Sequence, residues 1–212
     1  MKIGIIGSGN IGATVGRHFA RAGHDVLFSS RHPEELREMA EEVGAQTGTP
    51  EEAARFGDVI LLAIPFGQNE TVAQQISPLE GKILIDATNP YPSRDGEVAQ
   101  HIRDSDEQVA SDYTVELFSG ARVVKAFSSV YYESLQEQAF SEGDERIAVQ
   151  VAADDEEAKQ TVAGLIEDIG FAPQDLGGLE AERFFEPDAL LFAKDLPIRE
   201  AEARYREHAA SS

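Results

Sequence analysis

Lys2-Ile3-Gly4-Ile5-Ile6-Gly7-Ser8-Gly9-Asn10-Ile11-Gly12 opens the chain with a short, mostly apolar run followed by a match to G-x-G-x-x-G. What comes next decides how that match is read. Ile11, Val15, Phe19 and Ala22 recur at helical intervals over residues 10–22, Gly23 stops the helix, and residues 25–29 read as a second strand. A strand, a glycine turn, a helix and another strand make the unit in which this motif has a mechanism. Gly7 permits the tight turn, Gly9 lets the backbone approach a pyrophosphate, and Gly12 lets the helix pack closely on its strand. With Ser8, Asn10 and Ile11 they form a cradle at a helix N-terminus, where free N–H groups and a partial positive charge suit phosphate oxygens.

Further along, strands and helices alternate. Residues 59–64 form a continuous apolar strand broken by Pro65, a helix is expected over 69–76, and another strand over 82–86. Two prolines and an asparagine make 88–92 a loop. A helix over 110–118 and a strand over 122–127 follow. Beyond Gly143 come a strand at 146–152, a helix at 154–169, an extended segment at 172–176, a helical stretch at 180–194 interrupted by Pro187, and a polar tail from Arg199. Pro33 opens an acidic helix that runs to about Val43. This order predicts an α/β protein: a Rossmann-type, doubly wound, mostly parallel sheet covered on both faces, with a small C-terminal α/β extension. The expected division is a nucleotide-binding domain over 1–143 and a strand-helix-strand-helix extension over 144–212 packed on the same sheet.

Composition narrows the function classes. The 212 residues include 39 acidic and 18 basic side chains, a formal net charge of −21. Such a surface repels phosphate backbones, and no compensating basic patch interrupts it, so a nucleic-acid partner is not expected. No run approaches the ~20 apolar residues that span a membrane. There is no cysteine, hence no disulfide, thiolate metal site or thiol nucleophile. A cytoplasmic protein is expected, without a metal site. Only five cations are lysine (Lys2, Lys82, Lys125, Lys159, Lys194). A self-repelling acidic surface folds more readily when salt screens it, which points to a salt-adapted, halophilic source.

The end of the second strand distinguishes the dinucleotides. NAD sites expect an acidic residue there for the ribose hydroxyls. Here the chain reads Ser29-Ser30-Arg31-His32-Pro33, and Asp25 lies at the wrong end of the strand. Ser30 and Arg31 offer a hydroxyl and a fixed cation suited to a 2′-phosphate, hence NADP, with the helix opening at Pro33 adding its dipole. Ile64, Pro65 and Phe66 are placed to cover the cofactor with apolar surface, and Asn89 and Pro90 to meet the nicotinamide ribose or amide. Phe127 to Tyr131 would complete the pocket floor.

No catalytic residue is evident. His18 reads as lying on the outer side of the first helix, His24 sits at the opposite edge of the sheet, and His32 is far from the nicotinamide end. Lys125 reads as a structural lysine. A hydride-carrier site without a proton relay suits transfer between two rings better than ketone reduction, whose developing alkoxide needs a donor or cation.

Lys2 to Gly12, Ser29-Ser30-Arg31, Ile85-Asp86-Ala87-Thr88-Asn89-Pro90 and Val123-Val124-Lys125-Ala126-Phe127 together resemble the NADP oxidoreductases that depend on coenzyme F420, a 5-deazaflavin. Ala153-Asp154-Asp155-Glu156-Glu157-Ala158 and Asp175-Leu176-Gly177-Gly178-Leu179 extend the likeness to about Leu191. The resemblance implies NADP on the glycine loop, Ser30 and Arg31 at its 2′-phosphate, and hydride exchange with coenzyme F420 or a flavin as small-molecule redox co-substrate. Two departures stand out. Glu34 and Glu35 occupy positions where the family often has a further cation, and Ser128 stands where asparagine or histidine is common. Two alternatives stay open: another NADPH-dependent reductase such as pyrroline-5-carboxylate reductase, which expects an all-helical C-terminal half, and a non-catalytic NADP-sensing protein. Phe184, Phe185, Leu190, Leu191 and Phe192 read as core, with a homodimer face as the other reading.

Overall fold

The computed structural model describes residues 1–76, 78–105 and 107–210. Strand β1 (Lys2–Ile6) lies at the centre of a sheet whose first half is built by α1 (Asn10–Arg21), β2 (Asp25–Ser29), α2 (Arg37–Glu42) and β3 (Gln46–Gly48). Helix α3 (Pro50–Phe56) crosses back to β4 (Val59–Leu62), which pairs with the other side of β1. Helix α4 (Asn69–Ile76) leads to β5 (Ile83–Asp86), and α5 (Pro92–Asp95), α6 (Glu97–Arg103) and α7 (Ala110–Leu117) lead to β6 (Arg122–Lys125). All six strands are parallel, in the order β3-β2-β1-β4-β5-β6. The chain reverses direction across the sheet between β1 and β4.

Alternation along the strands makes the two cores. Ile3, Ile5, Val59, Leu61, Ile83 and Ile85 face one layer with Val15 and Phe19 of α1, while Ile6, Ile60, Leu62 and Leu84 face the other with Ala53 of α3 and Ala73 of α4. Because every central strand is buried on both faces, it has no polar side to mark the alternation, which is why 59–64 reads as an unbroken apolar run.

After α8 (Tyr132–Glu137) the chain forms a second parallel pair, β7 (Ala148–Val151) and β8 (Ala172–Asp175), joined by α9 (Glu156–Asp168); α10 (Ile198–Ala209) closes the described chain. The extension expected over 144–212 thus contains its own two-stranded sheet, whose β7 end meets the edge of the main sheet at one antiparallel bridge, Lys125 to Ala152. Arg122, at the start of β6, forks onto Asp155 at 2.6 and 2.7 Å, and Asp155 also caps α9 by accepting from the Ala158 N–H. The guanidinium holds the Asp155 carboxyl well below the usual carboxylate range.

Two sequence expectations are corrected. Residues 180–194 are not a helix: a 3₁₀ segment, Leu179–Phe184, gives way at Pro187 to irregular chain in which Asp188 and Ala193 have positive φ. Phe185 and Leu191 are buried in a small core there, with Phe184 and Leu190 packed against it. His18 is not on the outer side of α1 but buried under α8, its Nε2 3.0 Å from the Leu135 carbonyl. An apolar environment and one carbonyl acceptor suffice to bury an imidazole, and helical spacing alone does not reveal that acceptor.

Burial lowers the His18 pKa, neighbouring Arg21 and Arg17 add to the effect, and the bond to Leu135 opposes it. Among the described residues its Nδ1 has no hydrogen-bond partner, so no acceptor awaits a second proton. The unfolded chain therefore binds a proton more readily, and the stabilisation from neutral His18 is full above pH ~6.5 and is lost as pH falls through the folded-state value. Thermal melts of the wild type and His18→Gln at pH 7.5 and 5.5 check this. The wild type is expected to lose ground against the variant on acidification; a pH-independent gap would contradict it.

Candidate functional site

The crevice opens above the carboxyl ends of β1, β4, β5 and β6, at the switch in strand order where open α/β sheets bind ligands. At its β1 side Gly7 has φ +93°, a left-handed turn residue. Gly12 packs so tightly that a Cβ there would stand 1.9 Å from the Gly7 carbonyl oxygen. Gly9 differs: its backbone is extended, and a Cβ there would meet nothing within 4 Å. It is the N-cap of α1 but brings no capping side chain, and no acidic residue follows in the first turn. The first-turn N–H groups and the helix dipole therefore face the space beside Gly9, a fit for a pyrophosphate. Ser8 is fastened by its hydroxyl to the Ser29 carbonyl at 3.1 Å, tying the turn to the end of β2.

At that end Ser30 accepts from the His32 N–H at 3.0 Å, and Arg31 is exposed, making no ion pair among the described residues. The helix expected from Pro33 begins as a single 3₁₀ turn, Pro33–Leu36, so its dipole is small.

On the far side of the switch lies a cleft of about 400 Å³. Asn10, Ile11, Ile64, Pro65 and Asn89 line it, as do Phe127, Ser128 and the C-terminal Phe192 and Ala193. Two expected members do not. Phe66 is fully buried and turned toward Tyr113, and Pro90 is buried outside the lining. The 3₁₀ turn after Pro65 rotates Phe66 inward, where its apolar area is better removed from water. Sequence reading missed Tyr91, Arg94, Tyr132 and the 192–193 segment; only the last had no local signal, since a residue contributed from ~60 positions away leaves none.

The floor is set by backbone strain and buried charge. Phe127 holds φ +62°, a left-handed conformation costly for an aromatic residue, which ends β6 at Lys125 and turns 128–130 under the cleft. Beneath, the Lys125 ammonium is fully buried, 3.2 Å from Asp86 Oδ2, 2.8 Å from Glu182 Oε1 and 2.6 Å from the Thr88 carbonyl. Asp86 also accepts from the Thr88 N–H and hydroxyl and from Thr114, and Glu182 from the Ser111 N–H. Burial disfavours the charged lysine, but the two carboxylates outweigh it and raise its pKa. Lys125 is thus a structural lysine, as expected, and it fixes the Thr88–Asn89 turn, whose Asn89 amide donates to the Ser128 carbonyl at 2.6 Å. Among the described residues no cluster of His, Cys, Asp or Glu is arranged to hold a metal ion, and no helix is long and apolar enough to cross a membrane.

A 3-2-1-4-5-6 sheet with an uncapped glycine turn at its switch point defines a dinucleotide-binding protein of the Rossmann class. Comparison carries this further. Residues 2–90 match the family model described as NADP oxidoreductase, coenzyme F420-dependent. The chain is 32% identical over 200 residues to the F420-dependent NADP reductase of Methanothermobacter thermautotrophicus, covering 88% of this chain and 85% of that protein. It is 31% identical over 185 residues to the metalloreductase STEAP3 of Rattus norvegicus, spanning 87% of this chain but only 36% of that longer protein. The crystal structure of a hypothetical protein from Sinorhizobium meliloti superposes with a TM-score of 0.81 at 28% identity, covering 93% and 95% of the two chains. The chain belongs to the coenzyme F420-dependent NADP oxidoreductase family, a family of NADP-dependent oxidoreductases.

Proposed function

We propose that the protein transfers hydride between NADP(H) and a deazaflavin, coenzyme F420, or a related flavin-like acceptor, in the cleft above β4, β5 and β6. The observation that carries this reading is the pairing of an uncapped α1 N-terminus beside Gly9 with a cleft whose lining, among the described residues, holds no carboxylate, histidine or lysine. The first feature suits a diphosphate; the second, where Tyr91, Tyr131 and Tyr132 join Phe127, Phe192 and Asn89, offers ample aromatic and amide surface for a planar ring. Bound NADPH supplies the hydride. The residues of the chain position it: Gly7 to Gly12 hold the diphosphate, Ser30 and Arg31 the 2′-phosphate, Ile64 and Pro65 cover the apolar face, and Asn89 stands at the nicotinamide side.

The test is NADPH oxidation measured in parallel with coenzyme F420, FMN and pyrroline-5-carboxylate. Turnover with the deazaflavin or the flavin is expected. Turnover confined to pyrroline-5-carboxylate would overturn the reading, and cofactor binding without any turnover would favour a sensor. The hydrogen-bonded β7–β8 pair already argues against the all-helical C-terminal half that a pyrroline-5-carboxylate reductase expects.

Arg31 carries the NADP preference in this reading. Arg31→Ala is expected to weaken NADPH binding by about 1–3 kcal/mol, the scale of a charge-assisted contact, and to leave NADH binding unchanged. Equal loss for both would remove Arg31 from the 2′-phosphate. Salt adaptation belongs to the same proposal: with a net charge of −21, the melting midpoint should rise between low and molar potassium chloride, and a midpoint indifferent to salt would count against it.

A further inference from the structure

Among the described residues, Arg94 is the single charged side chain in the lining of the cleft. It is held in place from three directions. Nε and one terminal nitrogen reach the Asp95 carboxylate at 2.9 and 2.7 Å, that same nitrogen donates to the Asn89 carbonyl at 2.9 Å, and the guanidinium carbon lies 5.0 Å from the Tyr91 ring centroid. Asp95 faces inward, with its side chain 1% exposed, and accepts also from the backbone N–H groups of Tyr91 and Gly67. Its negative charge is spread over buried donors, whereas the Arg94 side chain is 45% exposed. The other terminal nitrogen, Nη1, has no partner among the described residues. A cation with free N–H groups thus stands pre-set at the cleft mouth, beside the exposed Tyr131 and the partly exposed Tyr132.

Its position separates it from the cofactor's phosphates. Arg31 follows β2, and Arg94 follows β5; β1 and β4 lie between them in the sheet. The diphosphate cradle is at β1, so the two arginines occupy opposite ends of the crevice. On a chain of net charge −21, an anionic ligand is repelled at long range, so holding one here takes directed N–H donors at short range.

We propose that Arg94 recognises an anionic group, phosphate or carboxylate, on the second redox substrate, so that the cleft selects a planar aromatic ring bearing a negative charge. This rests on the reading of the cleft as the acceptor site and adds the residue that sets its specificity. Arginine is the fitting residue because Asp95 takes one edge of its planar guanidinium and so aims the remaining nitrogen, Nη1, whose two N–H groups can donate to an oxyanion.

FMN and riboflavin carry the same ring and differ by one phosphate, so their equilibrium binding to the NADP⁺-saturated protein, read by flavin fluorescence, tests the proposal without turnover. The wild type should bind FMN at least about tenfold more tightly than riboflavin, with the preference shrinking in molar potassium chloride. Arg94→Gln should weaken FMN about tenfold and leave riboflavin and NADP⁺ within about twofold; Arg94→Lys should recover part of the loss. Equal affinity of the wild type for the two flavins, or binding of neither, would overturn the proposal, whatever the state of the variant. So would an equal loss for both flavins in Arg94→Gln, which means packing, or a weakened NADP⁺, which means that the cofactor's phosphates are the anion. Turnover with the deazaflavin is scored separately, so failure of Arg94 as an anion site is distinguishable from failure of the redox reading.

Discussion

Gly9→Val is expected to leave the fold intact and raise the Kd for NADPH about 100-fold, or about 2.7 kcal/mol. Both halves follow from the local geometry. The Gly9 backbone is extended, a conformation open to any residue, and a Cβ at that position meets no protein atom within 4 Å. The melting temperature should therefore stay within about 2 °C, because surface substitutions without such conflicts are usually worth less than ~0.5 kcal/mol. The empty space is what a diphosphate would use, and two methyl groups there hold it away from the first-turn N–H groups of α1. Gly12→Ala provides the contrast: its Cβ would stand 1.9 Å from the Gly7 carbonyl, so the turn itself must give way and stability falls along with binding. Thermal melts and NADPH fluorescence titrations on both variants separate the two effects. An unchanged Kd for Gly9→Val would remove the diphosphate from the glycine turn.

Lys125→Met should be the most destabilising single change at the site. It removes the cation shared by Asp86 and Glu182 and leaves two carboxylates facing one another with no access to water. Breaking a buried pair in this way costs about 3–5 kcal/mol, because the remaining charge is uncompensated. For a chain of this size that corresponds to a fall in Tm of roughly 6–20 °C. The triple variant Asp86→Asn, Lys125→Met, Glu182→Gln should recover much of the stability, since replacing a whole buried ionic group by neutral residues is often nearly neutral. If Lys125→Met melts within ~1 kcal/mol of the wild type, the cluster is not what holds the Thr88–Asn89 turn.

The six-stranded sheet was readable because its signals are local. A glycine turn between a strand and a helix, and doubly buried apolar strands, leave their marks within a few residues of one another. The glycine turn and the end of β2 share that property, being contained in one βαβ unit from Gly7 to Arg31. Short elements were missed: β3 spans only three residues and α5 four, too few to show a period. The cleft beyond the switch point was legible only in part, because it is assembled from segments far apart in sequence. Ile64, Pro65 and Asn89 were found from strand ends and loop residues, but the turn direction that buries Phe66 depends on a tertiary pocket beside Tyr113. Glu182, Phe192 and Ala193 reach the site from a stretch whose helical pattern misled, since Pro187 and the positive φ of Asp188 and Ala193 overrode it. Arg94 sits next to Asp95 in sequence and looks like an ordinary exposed pair; its place on the cleft is a product of the Tyr91 to Asp95 turn.

Lys125 does two jobs in different directions. Its side chain gathers Asp86 and Glu182, while its backbone exchanges both hydrogen bonds with Ala152, at 2.9 and 3.1 Å, where the small second sheet touches the large one. The N-terminal 143 residues are consequently not a portable cassette. Transplanted alone into another protein, they would carry a bare sheet margin ready to pair with a stranger and an ammonium stripped of one counterion. Anyone wishing to borrow this nucleotide pocket for a chimera would have to bring Ala152 and Glu182 along with it.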